Sequence, residues 1–105
     1  MHNEDFNSTT LQTGSTASIG TTAVQLVASS AVTKKPRQGV LVKATAANAV
    51  AVYIGISTVT ASVAAPTTDG YPLAAGEEVF IFCDDPGTIY ARTASSTGSV
   101  SWLIN

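Results

Sequence analysis

The sequence predicts an all-β chain: a small antiparallel β-sandwich with an extended N-terminal arm. Two observations carry this. Runs rich in Val, Ile, Thr and Tyr recur every ~10–15 residues, and Gly, Pro, Asp, Asn and Ser punctuate them. No segment carries the i, i+3, i+4, i+7 apolar stripe of an amphipathic helix. The chain has 105 residues, which is room for one domain with a modest core.

Residues 1–16 are polar, with Phe6 and Leu11 as isolated apolar side chains and no period of 2 or 3.6. They read as an arm with two spaced anchors, and residues 17–105 as the sandwich. The first strand is expected over 23–28, followed by a loop ending in Lys34, Lys35, Pro36 and Arg37. A second strand covers 39–44. Ala46, Ala47 and Asn48 make a turn, although the alanines of 44–51 also suit a helical turn. In the third strand, 50–56, Val50, Val52, Ile54 and Ile56 share one face and Tyr53 takes the other.

Residues 58–68 are ambiguous: Val59 and Val63 suit a short edge strand, and Pro66 forbids a central one. Asp69-Gly70 reads as a turn pair. Residues 78–83 form a strong strand, with Glu77 and Glu78 keeping its rim soluble. Asp84-Asp85-Pro86-Gly87 is a turn in which Asp accepts local backbone bonds, Pro fixes φ and Gly takes a positive φ. Residues 88–93 and 99–104 complete the set. Trp102 shares a face with Val100 and Ile104, which makes it core rather than a sugar-stacking platform.

Two strands are apolar on both faces. Val79 and Ile81 point one way while Phe80 and Phe82 point the other. A sheet that met water on one face would alternate apolar with polar. Phe80, Phe82 and Tyr53 are therefore expected at contacts between protomers, the other possibility being that the two Phe pack under the loop of 57–71.

Charged residues make up 11% of the chain, against about 25% in an average domain. Thr, Ser and Ala (15, 11 and 16 residues) take their place, so the chain is polar without being charged. Five Lys and Arg in all are too few to neutralise a nucleic-acid backbone. The net charge of −2 and the 45% apolar content argue against disorder. No apolar run nears the ~18 residues of a membrane span, and no charged n-region precedes an apolar stretch, so synthesis in the cytoplasm without export is expected.

Catalytic constellations are sparse. The single His, His2, excludes most metal and His-based acid–base schemes. The single Cys, Cys83, excludes an intrachain disulfide and reads as a small buried hydrophobe. Asp84 and Asp85 are the one tempting carboxylate pair for an ion, and turn chemistry explains them. Neither a phosphate-cradling glycine motif nor a convincing internal repeat is present. No catalytic residue, metal ligand or cofactor is expected.

From Gly39 to Asn105 the motifs are Gly-Val-Leu-Val-Lys-Ala, Val-Tyr-Ile-Gly, Val-Thr-Ala-Ser, Gly-Tyr-Pro-Leu-Ala-Ala-Gly-Glu-Glu-Val-Phe-Ile, Ile-Tyr-Ala-Arg-Thr-Ala and Val-Ser-Trp-Leu. This text resembles small virion proteins of tailed bacteriophages, capsid decoration (cement) proteins first among them. The resemblance covers about two-thirds of the chain and is structural, so it carries over no functional residue. It implies a β-sandwich that sits on the capsid surface of the virion as a homotrimer and clamps the major capsid protein. Phe6 and Leu11 are then the expected capsid contacts. The alternative is a tail, fibre or baseplate module that binds a host surface glycan.

Overall fold

The computed structural model describes residues 12–27, 38–61 and 69–105. Among these residues, eight strands form two four-stranded antiparallel sheets. In chain order they are β1 (Gln12–Ile19), β2 (Val24–Gln25), β3 (Gly39–Ala44), β4 (Val52–Gly55), β5 (Tyr71–Leu73), β6 (Glu78–Phe82), β7 (Tyr90–Arg92) and β8 (Gly98–Ile104). The first sheet has the order β1-β8-β3-β6 and the second β2-β7-β4-β5. Apart from β4 and β5, successive strands lie in different sheets, so the chain shuttles between the two layers.

That shuttling builds one core from two faces. From the first sheet, Val40, Val42 and Ala44 of β3 and Val100, Trp102 and Ile104 of β8 point inward. Val52 and Ile54 of β4, Leu73 of β5 and Ala91 of β7 meet them from the second. These are alternate positions, as a period-2 strand requires. Val79 and Ile81 of β6 pack at the rim of this core.

The connections are tied by side chains. Asn48, between β3 and β4, donates from Nδ2 to the Ser99 carbonyl at 2.9 Å and accepts the Ser99 N–H at 3.0 Å. It thus supplies a peptide-like pair of bonds at the start of β8. Between β5 and β6 the chain changes sheets through a tight turn. Gly76 takes φ +83 there, the Glu77 N–H bonds the Ala74 carbonyl at 2.9 Å, and the Ala74 N–H bonds the Glu77 carboxylate at 2.8 Å. Glu77 therefore closes a turn, a more specific role than keeping a rim soluble.

The sandwich is the expected class, but its boundary moves. Residues 12–16 belong to edge strand β1 and not to an arm. They have no apolar period because small and polar residues suffice at this edge. Gly14 lies opposite Trp102 in the ladder, and the indole covers it so closely that a Cβ would collide with the ring. The Thr16 hydroxyl donates to the Leu26 carbonyl at 2.6 Å and accepts from the indole Nε1 at 3.4 Å. The strand expected at 23–28 is reduced to Val24–Gln25; the Leu26 N–H still bonds the Ile89 carbonyl at 3.0 Å, and Leu26 and Val27 are buried in the core. The strand expected over 50–56 ends at Gly55, and Ile56 is exposed. Ala44 ends β3 and residues 45–51 form a turn, not a helix. Gly76 is the one glycine at positive φ among the described residues, so Gly87 does not take the conformation expected of it. Its turn is instead a short 3-10 segment, Pro86–Thr88, capped by Asp85, whose Oδ1 accepts the Gly87 N–H at 3.0 Å.

Gly39 is the tightest backbone approach. A Cβ there would run into the Ile81 carbonyl of the neighbouring strand. Gly39→Ala should cost about 1–3 kcal/mol in urea denaturation. Gly20→Ala is the control: nothing lies within 4 Å of its Cβ position, and its change should stay within about 0.5 kcal/mol.

Candidate interaction surface

The register of the first sheet decides what its outer face carries. Leu41 lies opposite Leu103 on β8 and opposite Phe80 on β6, and Leu103 lies opposite Thr13 on β1. One row across four strands is therefore Thr13, Leu103, Leu41 and Phe80. The next row is Ser15, Ser101, Lys43 and Glu78. Directly opposed residues have Cβ atoms about 4.5–5.5 Å apart, so each row is a continuous strip of surface. Thr13, Leu103 and Leu41 of the first row and all four residues of the second line a shallow depression of about 470 Å³, together with Gly14 and Trp102.

Phe80 and Phe82 continue the apolar strip at the β6 edge. Their rings meet edge to face, with centroids 4.8 Å apart and planes at 79°. Phe82 is 79% exposed and Phe80 half-buried. Val79 and Ile81 face the core, as alternation predicts. An exposed Phe ring beside a half-buried one, continuous with Leu41 and Leu103, makes one outward apolar patch on this sheet. The patch is neutral at its apolar end, while Lys43 and Glu78 oppose each other at its polar end.

Leu41 and Leu103 were not singled out from the sequence. The signal was present: each falls on the face opposite the Val, Trp and Ile residues of its own strand. Their neighbourhood was not visible, because it depends on which strands pair.

Tyr53 is placed differently from Phe80 and Phe82. It lies on the outer face of the second sheet and is 9% exposed, covered within its own chain. Val59 and Gly70 close over it, and a Cβ on Gly70 would press on Tyr53 Cβ at 2.7 Å. Its expected place in a protomer contact is corrected to that of a base for this loop. Phe82, by contrast, is exposed. Phe6, Leu11, Lys34, Lys35, Arg37 and Val63 lie outside the described residues.

Asp69 clasps the Tyr53 cover. Its Oδ1 accepts the Thr60 N–H at 2.7 Å and the Thr60 hydroxyl at 2.8 Å, and its own N–H returns to that hydroxyl at 2.9 Å. Cys83 is half-buried at the core rim. Desolvation pushes its thiol up, the Asp85 backbone hydrogen bond opposes this, and the charges of Asp84 and Asp85 push the same way as burial. That is the environment of a poor nucleophile. Among the described residues, no group of three or more His, Cys, Asp and Glu could hold a metal ion. No helix among them is long and apolar enough to cross a membrane.

Comparison with protein-family models, curated proteins and solved structures gave no match.

The Asp69 clasp has a pH signature. Hydrogen bonds from the Thr60 backbone N–H, then from its hydroxyl, hold the Asp69 carboxyl below its usual range. Because the folded value is the lower one, the clasp stabilises the loop fully above the unfolded value of about 4. Its contribution is lost as pH falls through the folded value. A carbon-detected NMR titration should give Asp69 a midpoint below the free carboxylate, with Thr60 amide exchange accelerating across the same transition. A midpoint at or above the free value would refute the clasp.

Proposed function

We propose that this protein is a non-catalytic structural subunit of a tailed-bacteriophage virion that binds the outer capsid surface and stabilises it. The observation carrying this reading is the outer face of the first sheet. Phe82, Phe80, Leu41 and Leu103 form a laterally continuous apolar strip there, on a chain otherwise poor in charge. Such a strip suits contact with another protein surface more than a reaction. The resemblance of residues 39–105 to decoration proteins supplies the particle, with the major capsid protein as partner.

The mechanism is mass action. A protein that binds the assembled shell and not loose subunits stabilises the shell by its binding free energy. Several protomers joined through Phe80 and Phe82 add avidity, since each further contact is made at high effective concentration. The resemblance implies three protomers.

The test is co-sedimentation with undecorated capsids of a tailed phage that encodes this chain. The wild type should pellet with the capsids and raise their resistance to heat. Phe82→Ser should fold normally, because its ring is exposed, and should lose roughly thirtyfold in binding if the ring is a central anchor. Failure to pellet, with binding on an array of host surface glycans, would replace this reading by the tail or fibre alternative.

A further inference from the structure

Each sheet of an open sandwich has two edges, and each edge presents unpaired N–H and C=O groups to a new strand. Among the described residues the four edge strands are β1, β6, β2 and β5. Three are blunted. β1 carries a register shift between Thr16 and Ile19, with Ser18 at φ 59. β5 is three residues long with Pro72 at its centre, and β2 has two residues. β6 has no such device. It is Glu78-Val79-Phe80-Ile81-Phe82, without Pro, Lys or bulge, and its register against β3 is unbroken.

The hydrogen-bond parity of β6 tells which groups are open. The Cys83 N–H bonds the Gln38 carbonyl at 3.1 Å, and the Ala44 N–H bonds the Glu77 carbonyl at 2.8 Å. In an antiparallel ladder, bonded pairs recur every second residue. Ile81 and Val79 therefore spend their backbone groups on β3. The N–H and C=O of Glu78, Phe80 and Phe82 point away from the sheet.

We propose that two copies of this chain pair along β6, antiparallel and centred on Phe80, so that two four-stranded sheets become one of eight strands. The edge is complementary to itself in three respects. First, this register sets Phe80 against Phe80 and Glu78 against Phe82, which are the residues whose backbone groups are open. Second, both faces of the seam match. Outside, Phe80 meets Phe80 and joins the two apolar strips. Inside, Val79 meets Ile81 and closes a core rim that each copy leaves half-exposed. Third, the charges fit. The two Glu78 carboxylates sit at opposite ends of the seam, four residues and about 14 Å apart, and each keeps Lys43 of its own chain opposite it. No like charges face each other, and the whole chain carries only −2.

A two-fold edge pair is isologous and closes at two copies. It departs from the trimer that the resemblance implies, and it does not rest on a virion role.

The test is the full-length chain in two measurements. Light scattering should give twice the 10.7 kDa chain mass at high concentration. Amide exchange of Phe80 and Phe82 should then be slower than in dilute solution, by roughly tenfold at one hundred times the dissociation constant, by mass action. The Ile81 amide should be protected in both. Phe82→Glu, at an exposed position, sets a second carboxylate opposite Glu78 of the other copy at each end of the seam, and should weaken pairing by about tenfold or more while leaving the monomer folded. A three-chain mass, a persistent monomer, or a two-chain mass with Phe80 exchanging freely would each overturn the inference. A dimer that fails to bind capsids would leave the pairing intact and sink only the virion role.

Discussion

The register between β3 and β8 is the constraint on which the rest of the molecule depends. Gly39 and Asn105 exchange both backbone bonds, at 3.1 and 3.0 Å, and this fixes every pair that follows. With that register, Val40, Val42, Val100, Trp102 and Ile104 all face the second sheet. A slip of one residue on either strand would turn its apolar set to water and bring Lys43 or Ser101 into the core. The free energy of burying these side chains, about 1.5–3 kcal/mol for each Val or Ile fully buried, therefore selects one register out of several that the backbone alone would allow.

The surface follows from the same choice. β6 joins β3 on its far side, and its inward residues Val79 and Ile81 are chosen by the same core. Phe80 and Phe82 are left outside because Val79 and Ile81 are inside. An apolar residue forced outward at one position is commonplace. Four of them, on three adjacent strands and ending at an unblunted edge, form one outward-facing apolar surface. The second sheet shows the contrasting solution. There Tyr53 also points away from the core, but the chain covers it from within, through the loop that Asp69 clasps to Thr60.

What the sequence revealed and what it hid divide along the range of the interactions. The strands expected at 39–44, 78–83 and 99–104 were legible as short runs rich in apolar and β-forming residues bounded by turn signals, and the period of 2 set Phe80 and Phe82 against Val79 and Ile81. β1 was not legible. Gln12 to Thr16 hold no apolar period, and their place comes from pairing with β8, more than eighty residues away along the chain. The burial of Tyr53 was hidden in the same way, since it depends on a clasp between Thr60 and Asp69 that alternation does not report. Leu41 and Leu103 each had the right parity, yet only strand order puts them side by side with Phe80.

The outward apolar row is the central claim, and interstrand NOEs test it most directly. The Leu41 methyls should show NOEs to both the Phe80 ring and the Leu103 methyls, and none to Val52 or Ile54 of the facing sheet. Leu41 methyls that instead report on Val52 or Ile54 would place that side chain in the core. The register, the apolar strip and the role assigned to the β6 edge would then all be contradicted together.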